Sequence, residues 1–268
     1  MGSLHAGHLS LVGEARARSD FVVLSIFVNP TQFGPGEDFH AYPRNLERDR
    51  ALAAEAGVEL LFAPHPAEMY PVVPRTLVQV IELSEPLCGR TRPGHFDGVA
   101  LVVAKLLNIV RPDVSVFGRK DAQQLLLIQR LAADLNLPGE IVGAPTVRER
   151  DGLAMSSRNV YLAPDERTQA LAISRGLRKA AASYHEGERQ AERLVGIVRA
   201  DLDREPDLRT EYVEIREREF LRDWTCADAP AVLAVAVRVG RARLIDNVFL
   251  PEEASPAGMA DREREASS

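Results

Sequence analysis

The 268-residue chain holds two cysteines, Cys88 and Cys226, far apart and outside any metal-ligand spacing. That pattern argues against a disulfide framework and fits a reducing cytoplasm. No apolar run reaches transmembrane length and no signal-peptide pattern is present, so neither a membrane span nor export is expected. Positive charge is in deficit. Thirty-three Lys and Arg face 39 Asp and Glu, a net charge of −6, with no long basic run. An extended nucleic-acid surface is therefore not expected. A small anionic ligand is not excluded, because it needs only local positive charge. Hydrophobic residues make up 46% of the chain, enough to build a core for one large domain or two modest ones.

The first half alternates strand and helix patterns. Phe21 to Val28 reads as a strand buried on both faces. Arg44 to Ala56 reads as a helix closed by Gly57, and Val58 to Ala63 as a strand stopped by Pro64. Val78 to Leu83 reads as a short strand, and Val99 to Val110 as an apolar helix ended by Arg111-Pro112. Val114 to Phe117 reads as a strand, Asp121 as the cap of a helix to about Leu135, and Ile141 to Ala144 as the last strand. Such alternation predicts a parallel sheet covered by helices. The second half predicts helices over 164–185 and 189–204, then strands over 210–216, 231–239 and 242–248. Gly240-Arg241 makes a tight turn between the last two. The expected architecture is α/β: a Rossmann-like domain over 1–147, a small α+β domain over 148–251, and a disordered tail over 252–268.

The chemistry concentrates in loops. His5-Ala6-Gly7-His8 stands directly before a helical pattern. A helix N-terminus with a glycine and two imidazoles suits phosphate oxygens. Four more polar segments sit where α/β sheets place their ligands, past strand ends. They are Asn29-Pro30-Thr31-Gln32-Phe33, Arg92-Pro93-Gly94-His95-Phe96, Gly118-Arg119-Lys120-Asp121-Ala122-Gln123-Gln124 and Met155-Ser156-Ser157-Arg158-Asn159. Lys120 at a helix start opposes the helix dipole unless an anion is bound there. Two hydroxyls and an arginine in 156–158 suit a phosphate clamp. Each segment also has a plainer reading: an Asx/Pro turn, a solvated loop, a solvated lysine, a polar linker.

Taken together, these strings resemble the pantothenate synthetase family, the pantoate–β-alanine ligases. The resemblance rests on Met-Gly-x-Leu-His-x-Gly-His at 1–8, Ser25 to Phe33, Arg92 to Phe96, Lys120 to Gln124, Asp151 to Asn159, and Arg243-Leu244-Ile245-Asp246-Asn247. It implies a nucleotidyltransferase-like α/β fold and an ATP-dependent condensation of pantoate with β-alanine through a pantoyl adenylate. Met1, Gly2, Ser3, Leu4, His5, Ala6, Gly7 and His8 would line the ATP site, with His8 as catalytic acid. Gly118, Arg119, Lys120, Asp121, Val147, Met155, Ser156, Ser157 and Arg158 would complete it. His5, Lys120 and Arg158 would join His8 as catalytic charge donors. Gln32 and Gln124 would hold pantoate, with Gln32 near β-alanine. Mg²⁺ would arrive with ATP, with no protein ligand named for it. A cytoplasmic homodimer is implied as well.

The chain departs from the family pattern at Arg119, Cys88 and Asp97, where the family usually carries an acid, a glutamate and a base. The family also carries a strand before the residue matching Met1. The expectation is therefore that the working protein is longer than this chain. A 268-residue chain would then be poorly stable or weakly active, at the extreme a nucleotide-binding relic. A nucleotidyltransferase outside the ligase family should lack the Gln32/Gln124 pair and the Arg92 to Phe96 string. An aminoacyl-tRNA synthetase sits badly with an acidic chain lacking an RNA-binding extension.

Overall fold

The computed structural model describes residues 2–37, 39, 42–225 and 229–251. The elements run α1 (Ala6–Arg16), β1 (Val23–Ser25), α2 (Leu46–Glu55), β2 (Leu60–Phe62), α3 (Pro66–Met69), α4 (Cys88–Thr91), α5 (His95–Val110), β3 (Val114–Gly118), α6 (Ala122–Asp134), β4 (Glu140–Ala144), α7 (Pro164–His185), α8 (Ala191–Leu202), β5 (Arg209–Glu217), β6 (Ala231–Val239) and β7 (Ala242–Leu250). Short 3₁₀ turns occupy Pro30–Gln32, Arg119–Asp121 and Ser157–Tyr161. The described chain divides into two compact units. One comprises 1–143 with 155–157, the other 144–154 with the chain from 158 onward.

In the first unit β1 runs parallel to β2, while β3 pairs with β4. Helix α1 packs against β3, and α5 packs against both α6 and the Pro30–Gln32 turn. Leu4, Val12, Val22, Leu24, Ile26 and Ala53 form a buried cluster that fixes α1 and α2 to β1. The expected strand over 21–28 shortens to three residues, with Leu24 buried and its two neighbours half-buried. Among the described residues β1 pairs only with β2, over these three positions. No strand forms at 78–83; residues 81–84 make a turn closed by Ser84 N–H donating to the Val80 carbonyl at 3.2 Å. Val78 and Val80 read as strand because apolar spacing reports burial and says nothing of a pairing partner.

Helix boundaries follow local chemistry. Asn45 caps α2 by accepting from Arg48 N–H at 3.0 Å. Helix α5 ends where Arg111 turns left-handed before Pro112. Helix α7 starts on Pro164 with Asp165 and Glu166 in its first turn, and the Glu166 carboxylate accepts from Ala163 N–H at 2.9 Å. Asp121 stands at the N-cap of α6, yet its side chain makes no cap hydrogen bond, contrary to the expectation from sequence.

The second unit is built on an antiparallel sheet, β5-β6-β7. Val239 pairs with Ala242 across the Gly240-Arg241 turn. Ile173, Leu177, Leu194, Val198 and Leu202 of α7 and α8 meet Val213, Leu233, Val235 and Leu244 of the sheet in one buried core. Burial of this kind stabilises by roughly 25 cal/mol per Å² of apolar surface.

Candidate active site

The chain enters α1 along a course fixed by one carboxylate. Asp49 of α2 is 1% exposed and accepts from Ser3 N–H at 2.8 Å and Leu4 N–H at 2.7 Å. Ser3 sits in the left-handed region, φ 52°, a conformation that costs energy for a side chain bearing a Cβ. The two charge-assisted hydrogen bonds offset that cost. His5 is the N-cap of α1 and His8 lies in its first turn, and their rings stack with centroids 4.0 Å apart. Gly7 makes the stack possible. A Cβ there would stand 3.0 Å from His5 Cε1 and Nδ1, and 3.3 Å from the Met155 Cβ.

Burial, then the neighbouring His5, pushes the His8 imidazole down to about 3, and the Lys120 ammonium acts in the same direction. The ring is therefore neutral at pH 7 in the free protein. His8 thus offers a neutral N–H until negative charge arrives. Its buried Nδ1 has no hydrogen-bond partner among the described residues. The effect of Lys120 on this ring also places Lys120 and His8 in one electrostatic neighbourhood. The partial positive charge of the α1 N-terminus adds to it.

Gln32 is held from several sides. Asn29, 2% exposed, donates from Nδ2 to Gln32 Oε1 at 3.1 Å and to the Gly98 carbonyl at 3.0 Å. The Asn29 Oδ1 accepts from Thr31 Oγ1 at 2.9 Å and from the Tyr70 hydroxyl at 2.9 Å. With its oxygen engaged, Gln32 keeps its amide NH₂ as a donor. The Gln32 carbonyl meets His95 Nδ1 at 2.8 Å and Arg92 Nη2 at 3.3 Å. Gly98 lies so close beneath this turn that a Cβ would sit 2.2 Å from the Thr31 carbonyl oxygen.

Gly118 ends β3, the strand against which α1 packs, and Arg119, Lys120 and Asp121 follow it as a 3₁₀ turn into α6. Gln124 is half-buried in the first turn of α6. Its buried neighbour Gln123 accepts from Cys88 N–H at 2.9 Å and donates to the Leu83 and Pro86 carbonyls at 2.9 and 2.7 Å. Met155, Ser156 and Ser157 group with the first unit, where the Ser157 hydroxyl lies 3.3 Å from that of Tyr42. The ring of Tyr42 in turn lies beside Gly2. Val147 and Arg158 belong to the second unit. Met1, Cys226 and the tail 252–268 lie outside the described residues.

Sequence reasoning missed Asp49 and Tyr42, and it named Asn29 without its role in holding Gln32. Asn29 carried the signal of a simple Asx turn. Asp49 and Tyr42 carried none, because their partners are distant in the chain. Among the described residues no group of three or more His, Cys, Asp or Glu is placed to hold a metal ion. The donors gathered here (imidazole, ammonium, amide, hydroxyl and a helix N-terminus) suit polyphosphate and carboxylate oxygens instead.

The pantoate–β-alanine ligase family model matches residues 1–249. The chain belongs to the pantoate–β-alanine ligase family. A pantothenate synthetase of Syntrophotalea carbinolica is 57% identical over 94% of this chain and 89% of its own length. One from Syntrophus aciditrophicus is 53% identical over 94% and 88%. The crystal structure of the Thermus thermophilus pantothenate synthetase superposes with a TM-score of 0.86 at 50% identity, covering 92% of this chain and 90% of that one. A Francisella tularensis pantoate–β-alanine ligase, solved with β,γ-ATP and β-alanine, superposes with a TM-score of 0.75 at 32% identity, over 94% and 88%. The α/β reading of the chain holds in this structure, with parallel pairing in its first part and a small antiparallel sheet toward its C-terminal end, and its solved neighbours are pantothenate synthetases.

Proposed function

We propose that this chain joins pantoate to β-alanine at the expense of ATP, through a pantoyl adenylate bound beside the histidine pair. The observation that carries the reading is the stacked His5–His8 pair at the mouth of α1, with Lys120 acting on it and with the side-chain oxygen of Gln32 engaged by Asn29, which leaves its NH₂ as a donor. In the first step a pantoate carboxylate oxygen bonds to the α-phosphorus of ATP. The bond from that phosphorus to the bridging oxygen breaks, and pyrophosphate leaves. In the second step the β-alanine nitrogen bonds to the acyl carbon, the acyl–oxygen bond to AMP breaks, and the nitrogen gives up a proton.

No side chain need act as a nucleophile, so the protein contributes position and charge. His5, His8, Lys120 and Arg158 would stabilise charge developing at phosphorus. Each such donor is typically worth about 3–4 kcal/mol of barrier. Gly2 to Leu4, Ala6 and Gly7 would follow the nucleotide by backbone, Asp121 the ribose and Val147 the adenine. Gln32 and Gln124 would donate to pantoate, and Met155 to Ser157 would shield the adenylate from water. Mg²⁺ would come as the ATP complex, with its shell drawn from phosphate oxygens and water. No helix among the described residues is long and apolar enough to cross a membrane. Separately, on its family membership alone, we propose that the enzyme works in the cytoplasm as a homodimer.

A pyrophosphate-release assay tests the reading. Release is expected with ATP and pantoate alone, and AMP with the amide product only after β-alanine is added. His8→Ala should abolish the first step while leaving circular dichroism unchanged. Turnover at the wild-type rate in that variant would remove His8 from the mechanism. The family relations favour this activity over a nucleotide-binding relic.

A further inference from the structure

The Arg92-Pro93-Gly94-His95-Phe96 segment has no part in the chemistry above, yet its side chains converge on a single backbone atom. Arg92 donates from Nε to Glu37 Oε1 at 2.6 Å and from Nη2 to Glu37 Oε2 at 2.7 Å. This two-point pair fixes the plane of the guanidinium. The Arg92 Nη1 then lies 3.0 Å from His95 Nε2. A guanidinium has no acceptor, so His95 Nε2 must accept. The ring proton therefore sits on Nδ1, which donates to the Gln32 carbonyl at 2.8 Å. Arg92 Nη2 reaches the same oxygen at 3.3 Å. Burial first, then the Arg92 charge, holds His95 down at about 4, consistent with a ring kept neutral.

We propose that His95, locked as its neutral Nδ1–H tautomer by Arg92 and Glu37, is a positioning residue that sets the affinity for pantoate through Gln32. Asn29 orients the side-chain oxygen of Gln32, and the His95 clamp fixes its backbone carbonyl. The NH₂ of Gln32 is thereby aimed by restraints at both ends of the residue. Without the clamp the Pro30–Gln32 turn keeps its Asn29 contacts but loses two donors to its last carbonyl. This proposal rests on Gln32 being a pantoate ligand, as read above.

The test measures pyrophosphate release without β-alanine in five variants, with KM resolved separately for pantoate and ATP. His95→Ala is expected to raise the pantoate KM about tenfold, with the ATP KM within about twofold, as for a lost buried hydrogen bond. His95→Asn places an amide donor near the Nδ1 position and should recover most of the loss. His95→Gln carries its amide at the Nε2 end and should not. Glu37→Gln, a milder change, should raise the pantoate KM about threefold and serves if His95→Ala does not fold. Equal rises in both KM values, an unchanged pantoate KM in His95→Ala and Glu37→Gln, or rescue by Gln as good as by Asn would each overturn the proposal. Gln32→Ala separates the two readings. If it raises the pantoate KM while His95→Ala does not, only the positioning role falls. If Gln32→Ala also leaves the pantoate KM unchanged, the ligand assignment falls and the proposal with it.

Discussion

Two imidazoles kept neutral by burial make the protein's stability depend on pH in a definite direction. His8 is held at about 3 and His95 at about 4, both below the ordinary 6.5. The unfolded chain therefore takes up protons near pH 6.5 that the folded chain refuses. Stability from these groups is complete above that pH and is lost as pH falls from 6.5 toward 4. Each ring contributes a slope of about 1.4 kcal/mol per pH unit across that window. Urea unfolding at pH 7 and pH 5 measures it. The wild type should lose markedly more than His8→Gln, which has one such ring fewer. Equal losses would show that His8 titrates normally. The same neutral ring has a catalytic consequence. Triphosphate brought beside it favours the charged form, so ATP binding should draw a proton onto His8, visible as buffer-dependent binding heat.

At the scale of elements, the Pro30–Gln32 turn is seated on α5 by the absence of one side chain. A Cβ at position 98 would lie 2.2 Å from the Thr31 carbonyl and 2.7 Å from the Gln32 nitrogen, both backbone atoms that cannot swing away. Gly98→Ala must therefore displace the whole turn. Over-packing of this kind costs about 1–3 kcal/mol. It should also raise the pantoate KM, because the Gly98 carbonyl that accepts from Asn29 moves with the helix. Thermal unfolding and pantoate KM check the pair of effects; a wild-type value for both would show that α5 and the turn are not tightly coupled. The sequence spacing made most of α5 legible, since an apolar stripe from Val99 to Val110 and the Arg111-Pro112 stop are local signals; the structure adds a first turn from His95. Helix α7 was legible for the same reason, through Pro164 and its acidic first turn. The short β1 and the missing strand at 78–83 were not, because ladder formation depends on partners that local spacing does not report.

Across the whole molecule the same division between local and distant signals governs the site. His5, Gly7, His8, Lys120 and Gln32 stand in short strings that carry their own chemistry. Asp49 and Tyr42 act on partners supplied by folding, so single-sequence reading passes over them, and Asn29, legible as part of its string, gains its distant partners Gly98 and Tyr70 only on folding. The second unit offers a further case. Arg148 donates to the Asp246 carboxylate at 2.6 and 3.2 Å, and to the Gly152 carbonyl at 3.3 Å. Asp246 is only 4% exposed and sits on β7, so this pair fastens the 148–154 hairpin to the sheet. The hairpin is closed by Glu149 N–H donating to the Leu153 carbonyl at 2.8 Å. It is braced by Asn159 on Glu149 at 2.6 Å and by Arg167 on Glu149 and Asp151, each at 2.6 Å. Asp246→Asn keeps the shape but leaves Arg148 without its countercharge, at a cost of about 3 kcal/mol. Val147 adjoins the fastened arginine and is read here as the adenine contact. The expected outcome is a lower unfolding temperature together with a raised ATP KM and an unchanged β-alanine KM. An Arg148→Met, Asp246→Leu double variant, which replaces both charges with apolar groups, should regain stability more than it regains ATP affinity. If the single variant unfolds earlier but binds ATP as the wild type does, the pair serves the second unit's core alone and the hairpin does not carry nucleotide recognition.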